Sequence, residues 1–401
     1  MKKSMMRVTV CCLIATLALP GFAFAADTDT DTTTEAAVTA PAIVQDMTFK
    51  TPAVAISLEQ AYKKLESSST MEMINLSKKT DESVAKGHLE SVQDLNKLQR
   101  ASEVSSSWSY DPADKAMAKA MRTFAEESIE TNHQARINSF KRDTFENYYT
   151  LKNMEAQVSI AKDNLEVNKK LLTATQLKFK VGTASKMNLL TAEMDVNTAQ
   201  SQLTTAQNGL NSLKMGFNVY MGYDLMQAIT LTDTIDEPAL STVKLADAIK
   251  SALSNRLEIK EAAYNVQMCQ ISVDKYKYYP TNSSTYISAQ LNLLKAELNN
   301  KNQPLTIEMD VRTKYMAMME KYEAVQSGKQ TVANAIETTR LAQLQYDAGM
   351  STLTDVQQAQ LGSYTAQLNQ AQALLDYNLA LEDYNLCMGV GTEAAKLAST
   401  N

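Results

Sequence analysis

The sequence predicts a mainly α protein: long antiparallel coiled-coil helices in two homologous halves, forming an α-barrel or bundle with at most a short β-hairpin region. Three observations carry this expectation. The chain has 401 residues but only 11 glycines and 7 prolines, too few turn-formers for the many tight connections of a large all-β or doubly wound α/β fold. Apolar residues recur at 3-4 spacing over long stretches, which is the coiled-coil period. The segment around Gly182 is repeated around Gly349, at an offset of 167 residues that needs no gap.

Each element can be justified in chain order. The N-terminus carries a basic stretch (Lys2, Lys3, Arg7), an apolar run from Val8 to Leu19 and a small-x-small site at Ala23-Phe24-Ala25, so residues 1–25 read as a signal peptide and the protein as exported. Its removal takes the formal net charge from −6 to −9 and leaves two of the four cysteines, Cys269 and Cys387, for which buried free thiols are expected. Residues 26–55 are rich in Thr, Asp, Ala and Pro without a sustained period, and read as a disordered leader. No later stretch is apolar for long enough to cross a membrane as a helix.

Ser57-x-x-Gln60 forms a candidate capping box, and Asp111-Pro112 an acidic N-cap ahead of a first-turn proline. A helix is therefore predicted from Pro112 to about Lys180, roughly 100 Å long at ~1.5 Å per residue. From Ile137 a 3-4 spacing runs through Phe140, Thr144, Asn147, Leu151, Met154, Val158, Ala161, Leu165, Asn168, Leu172, Thr175 and Phe179. Beyond Gly182 it runs from Leu189 to Tyr220 entirely on apolar residues. In the second half it runs from Val356 to Cys387 with two polar intrusions, Ser363 and Gln370. A second stripe (Leu190, Met194, Leu361, Leu368, Leu375) indicates that the helices meet neighbours on more than one side. The expected organisation is a first helical repeat at 56–222, a linker at 223–240, a second repeat at 241–390 and a C-terminal tail at 391–401.

The same residues exclude several function classes. The acidic balance argues against nucleic-acid binding. His88 and His133, the only histidines, lie in separate segments, which disfavours a histidine-based catalytic or metal centre. There is no Gly-rich phosphate loop and no Ser/His/Asp or Cys/His set at motif spacing, so the chain is not read as an enzyme and no cofactor is expected. Met316, Met318 and Met319, with Met71 and Met73, are read as adaptable core filling rather than thioether metal ligands.

The helix–VGTAS–helix segment at Val181 to Ser185 and its copy AGMST at Ala348 to Thr352 carry a family resemblance. So do the SLEQA start at Ser57 and the loop MGYDLMQAITLTD from Met221 to Asp233. Together they resemble the TolC family of outer-membrane efflux proteins over about residues 55–390. The resemblance implies a homotrimer whose helices enclose a duct, located in the outer membrane or periplasm. It also implies a periplasmic adaptor protein and an inner-membrane pump as partners. Gly182, Ser185, Gly349 and Thr352 would then lie at the tip that meets the adaptor; equally, each glycine can be a plain helix C-terminal residue. Asp355 has two readings, an axial ring of carboxylates or an acid favourable to its own helix dipole. The function so implied is a passive conduit for efflux or secretion, the alternative being a soluble envelope scaffold that keeps the fold without a membrane pore.

Members of that family that cross the membrane insert two strands between helices in each half. A membrane strand needs ~9–11 alternating residues. In the first half only Val104 to Tyr110 alternates. In the second half Thr285, Ile287, Ala289, Leu291 and Leu293 alternate, as do Leu305, Ile307, Met309 and Val311, so one hairpin is conceivable there. Trp108, Tyr110, Tyr278, Tyr279 and Tyr286 cluster where an aromatic girdle, or the packed end of a bundle, would lie.

Overall fold

The computed structural model describes residues 48–105, 109–235, 237–241, 243–395 and 397. The signal peptide, the leader up to residue 47 and Trp108 lie outside the described residues. The elements in chain order are β1 (Lys50–Ile56), α1 (Leu58–Leu65), α2 (Ser69–Val104), α3 (Pro112–Lys180), α4 (Lys186–Met221), β2 (Gln227–Leu231), α5 (Leu245–Asn255), α6 (Leu257–Tyr276), α7 (Ser284–Asp347) and α8 (Leu353–Cys387).

Local chemistry sets the helix starts. The Ser57 hydroxyl accepts from the Gln60 N–H at 3.2 Å and the Gln60 side chain accepts from the Ser57 N–H at 2.9 Å, closing the capping box that opens α1. Asp111 accepts from the Ala113 N–H at 2.8 Å and Pro112 occupies the first turn of α3. The 69 residues of α3 and the 64 of α7 give rods of roughly 100 Å. A rod of that length buries surface only by lying alongside others. Accordingly α2 and α4 pack against α3, α6 and α8 against α7, and α3 also touches α6 and α8.

Each half has its own core. In the first, Leu65, Phe140, Tyr148, Leu151, Phe217 and Met221 close over Ile56, Ile229 and Leu231 of the strands. In the second, Ala248 and Ala252 of α5 sit against Ile307, Val311, Met318, Tyr377, Tyr384 and Cys387. Ala61 of α1 and Ala248 of α5 are both fully buried. The C-terminal residues cross back to α3: the Asn132 side chain both donates to the Ala395 carbonyl (3.2 Å) and accepts from its N–H (2.8 Å), and Asn138 donates to the Gly391 carbonyl at 2.9 Å.

Two expectations are corrected. Residues 50–55, read as the end of a disordered leader, belong to β1, which pairs in parallel with β2 inside the stretch read as a linker; Ile56 lies opposite Leu231. The buried phenol of Tyr148 explains this ordering: its hydroxyl donates to the Ile56 carbonyl at 3.1 Å and accepts from the Asp233 N–H at 3.3 Å, tying both segments to α3. Composition alone did not show that short apolar stretches around 54–56 and 229–231 have a helix face to cover.

The second correction concerns the candidate hairpin. Residues 285–293 and 305–311 are not strands; both lie within α7. The alternation there coincides with a helical spacing through Ile287, Leu291, Leu294 and Leu298, and the leucines, alanines and long polar side chains of the segment favour the helix. Ser283 caps its start by accepting from the Tyr286 N–H at 3.3 Å. Pro304 sits inside the helix, where it supplies no N–H to the carbonyl of Asn300. The α2–α3 and α6–α7 connections, residues 105–111 and 277–283, hold seven residues each, fewer than the ~9–11 of a single membrane strand. No helix among the described residues is long and apolar enough to cross a membrane.

Cys269 and Cys387 are free thiols; Cys387 is buried as expected, whereas Cys269, expected to be buried, is only partly so. Cys387 is 4% exposed, and burial raises its pKa to about 11. At pH 8 a maleimide should therefore modify Cys269 first and Cys387 only on unfolding; equal rates in the native protein would contradict the second core. Replacing Tyr148 by Phe should cost roughly 1–3 kcal/mol, because a buried acceptor and a donor lose their partner. Urea unfolding curves measure this, and an unchanged midpoint would show that the strands are held otherwise.

Candidate functional site

The residues picked out at the two helix–turn–helix segments are built alike. Gly182 and Gly349 adopt φ of 81° and 77°, the left-handed conformation that glycine reaches without Cβ strain. In the first turn the Gly182 N–H donates to the Phe179 carbonyl (3.0 Å) and Thr183 N–H to Lys178 (2.8 Å). In the second, Gly349 N–H donates to Tyr346 (3.1 Å) and Met350 N–H to Gln345 (2.8 Å). Both are Schellman closures, satisfying the last carbonyls of α3 and α7. Ser185 then caps α4 by accepting from the Asn188 N–H at 3.1 Å, and Thr352 caps α8 by accepting from the Asp355 N–H at 3.3 Å.

Asp355 closes its own capping box. Its carboxylate accepts from the Thr352 N–H (2.8 Å), the Thr352 hydroxyl (2.7 Å) and the Ser351 hydroxyl (2.9 Å). The Thr352 bonds, foremost, hold its pKa below the usual carboxylate value. The group is exposed and fully ionised at neutral pH.

Both tips lie at the same end of the molecule. Leu171 of α3, Ala192 of α4, Tyr346 of α7 and Leu353 and Val356 of α8 form one buried cluster beneath them. The tie that sequence reasoning missed is Lys178. Its ammonium donates to the Tyr346 carbonyl at 2.9 Å, lies 3.5 Å from the Tyr346 ring centroid and 3.5 Å from the Asp347 carboxylate. It thus fastens the last turn of α3 to the last turn of α7 through three contacts on a flexible stem. No pattern in the sequence signals this pairing, since the repeat aligns Lys178 with an uncharged Gln345.

At the opposite end the two seven-residue connections are also neighbours. Lys275 reaches Asp114 at 2.6 Å and Asp111 at 3.3 Å, and the rings of Phe124 and Tyr264 stack with centroids 4.3 Å apart. Of the predicted aromatic cluster, Tyr110 and Tyr286 are half-buried, while Tyr279 and above all Tyr278 face outward.

Among the described residues, an exposed apolar seam runs along α7. Ile287, Leu291, Leu294, Leu298, Leu305, Met309 and Met316 are each between 49% and 64% exposed. Their 3-4-7 spacing keeps them on one face over roughly 44 Å of helix. The other face of α7, with Ala289, Ile307, Val311, Met318 and Val325, is buried within the chain. An apolar face this long and regular marks an association surface. Among the described residues no group of three or more His, Cys, Asp or Glu side chains is placed to hold a metal ion.

Two repeated pairs of long helical hairpins, with Gly-turn tips at one end and an exposed apolar seam along the side, define an elongated, mainly α fold. Residues 279–389, from the start of α7 to the end of α8, match the family described as outer membrane efflux protein. Among solved structures the fold is similar to the outer membrane protein VceC of Vibrio cholerae, with a TM-score of 0.61 and 13% identity over 84% of this chain and 97% of that one. It is also similar to CusC (TM-score 0.56, 12% identity, 70% of this chain and 74% of that one) and to the CmeC outer membrane channel of Campylobacter jejuni (TM-score 0.56, 14% identity, 71% and 69%). Comparison with curated protein sequences gives no match. The segment match ties α7 and α8 to the outer membrane efflux protein family, and the fold of the chain is that of the solved outer-membrane channels it resembles.

The tip geometry makes a specific expectation. Nothing lies within 4 Å of where a Cβ on Gly182 or Gly349 would fall, so substitution there strains only the backbone, by roughly 1–2 kcal/mol for a left-handed L-residue. Gly182→Val should lower thermal stability by that amount, and Gly349→Pro by more because proline cannot reach the positive φ and loses the N–H bond to Tyr346, while both leave far-UV circular dichroism nearly unchanged. A large loss of helical signal would mean that these glycines hold more than a turn.

Proposed function

We propose that the chain is one subunit of a homotrimeric efflux or secretion duct, a passive conduit with no chemistry of its own, driven by an inner-membrane pump through a periplasmic adaptor protein. The observation that carries this reading is the α7 seam, which a second copy of the chain would cover. Half-burying each of its seven side chains yields about 1 kcal/mol apiece, about 7 kcal/mol in all, which is of the same order as the ~4–15 kcal/mol cost of joining two chains. The Gly182, Ser185, Gly349 and Thr352 tips are then the surface offered to the adaptor. Asp355, ionised and exposed beside them, contributes one carboxylate per subunit to a ring around the axis, where its charge favours cations.

The protein is exported, and the duct stands in the periplasm with its 105–111 and 277–283 connections toward the outer membrane. The second reading is the same helical assembly acting as an envelope scaffold without its own membrane pore. The family match supports the conduit. Fractionation separates the two: recovery with the outer membrane as a heat-labile trimer, resistant to carbonate washing, fits the conduit, whereas a soluble elongated protein fits the scaffold.

The seam itself can be broken by charge. Leu291→Glu with Leu298→Glu should convert the assembly to monomers of unchanged helicity, read by light scattering behind size exclusion and by circular dichroism. Persistence of the trimer in the double variant would remove the seam from the interface.

A further inference from the structure

Behind the tips and away from the seam, a cavity of about 310 Å³ opens between α3, α4 and α8. Asn164 and Asn168 line it from α3, Asp195 and Gln202 from α4, Gln357 and Gln360 from α8. No lysine or arginine is among its lining residues. Asp195 accepts a hydrogen bond from the Gln357 amide, and no ion pair to it is formed among the described residues. Burial raises its pKa above the ordinary carboxylate value, with the Gln357 bond acting against that.

Gln360 supplies the second, independent observation. It is 7% exposed and lines both this cavity and a smaller adjoining one of about 80 Å³. Its Oε1 is buried and has no hydrogen-bond partner. Asn168, 8% exposed, forms part of the same wall, with its amide nitrogen directed to Asn164 Oδ1 at 3.2 Å and to the Asn164 carbonyl at 2.9 Å. The cavity therefore offers one carboxylate without a cation and a buried amide oxygen without a donor. Buried polar groups are ordinarily satisfied, and this pair lacks a positively charged donor.

We propose that this cavity binds a small organic ammonium ion, the charged head between Asp195 and the Gln360 amide oxygen and the carbon chain along Leu361 at the rim. Three features select that class. A single carboxylate among neutral amides balances one positive charge, which suits a monovalent ligand better than a divalent metal ion with its preference for several anionic oxygens. The volume is about ten times a water's share of the liquid, too large for a bare ion to fill. The acceptors are directional, matching the N–H bonds of a primary ammonium group.

The inference concerns a single chain and stands apart from the duct reading, so either can fail without the other. The test is calorimetric titration of the full-length protein with propylammonium chloride at fixed ionic strength. Saturable binding at one site per chain is expected. Asp195→Asn, nearly isosteric, should weaken it about tenfold or more, as loss of a charged partner does. Gln360→Leu should weaken it severalfold without lowering the melting temperature, because the oxygen it removes has no partner to lose. Tetramethylammonium, which has no N–H, should bind more weakly than propylammonium. Absence of saturable binding to the native protein would overturn the proposal. So would equal affinity in Asp195→Asn, shown by circular dichroism to be folded, or equal affinity for the two ammonium ions.

Discussion

Helices near 100 Å long impose the constraint on which the rest of the structure depends: their apolar faces must be covered laterally, along their whole length, because no compact core can reach them. Within the chain this is met by antiparallel neighbours. α3 is flanked by α2 and α4, and α7 by α5, α6 and α8. One long face of α7 is left over, and the regularity of that leftover face is what makes a multi-copy wall the economical solution. The Gly-turn tips and the ends at 105–111 and 277–283 are consequences, since each long helix has to be closed and turned back at fixed levels.

Between the helices the contacts are less apolar than the 3-4 spacing suggests. Asn132, Thr144, Asn168, Thr175, Asn218 and Ser363 are all buried. Some return their hydrogen bonds to their own helix, as Thr144 does to the Phe140 carbonyl at 2.8 Å. Others reach across: Asn153 donates to Gln372 at 3.1 Å, and Asn218 donates to the Leu225 and Gln227 carbonyls at 2.9 and 2.8 Å. Polar groups in such positions fix register, because a slipped pairing would leave them without partners. They hold α3 against α8, and α4 against the loop leading to β2, at single levels.

Much of this was legible in the sequence, for identifiable reasons. Helix starts announced themselves through Ser57 and Asp111-Pro112, because N-capping is a local interaction between residues a few positions apart. The repeat showed because Gly182 and Gly349 serve the same backbone geometry. What stayed hidden depends on distant partners. β1 is a strand only because β2 and Tyr148 are there, and the alternating stretch at 285–293 is helical because its 3-4 pattern, shared with the alternation, is continued through Leu298. At the tips, Ser185 and Thr352 were picked out by the repeat and their capping role came from the structure, while the Lys178 bridge to Tyr346 spans 168 positions and leaves no local trace. The polar intrusions at Asn168, Ser363 and Gln370 were visible as interruptions, while the burial of Asn168 and Ser363 against neighbouring helices was not.

The central claim is that several copies of this chain, joined along their sides, enclose a hollow. Electron microscopy of the native assembly tests it most directly. The account predicts three-fold symmetric particles with a helical wall roughly 100 Å long and a continuous lumen on the axis. Single chains, or a three-fold particle with a filled core, would contradict it.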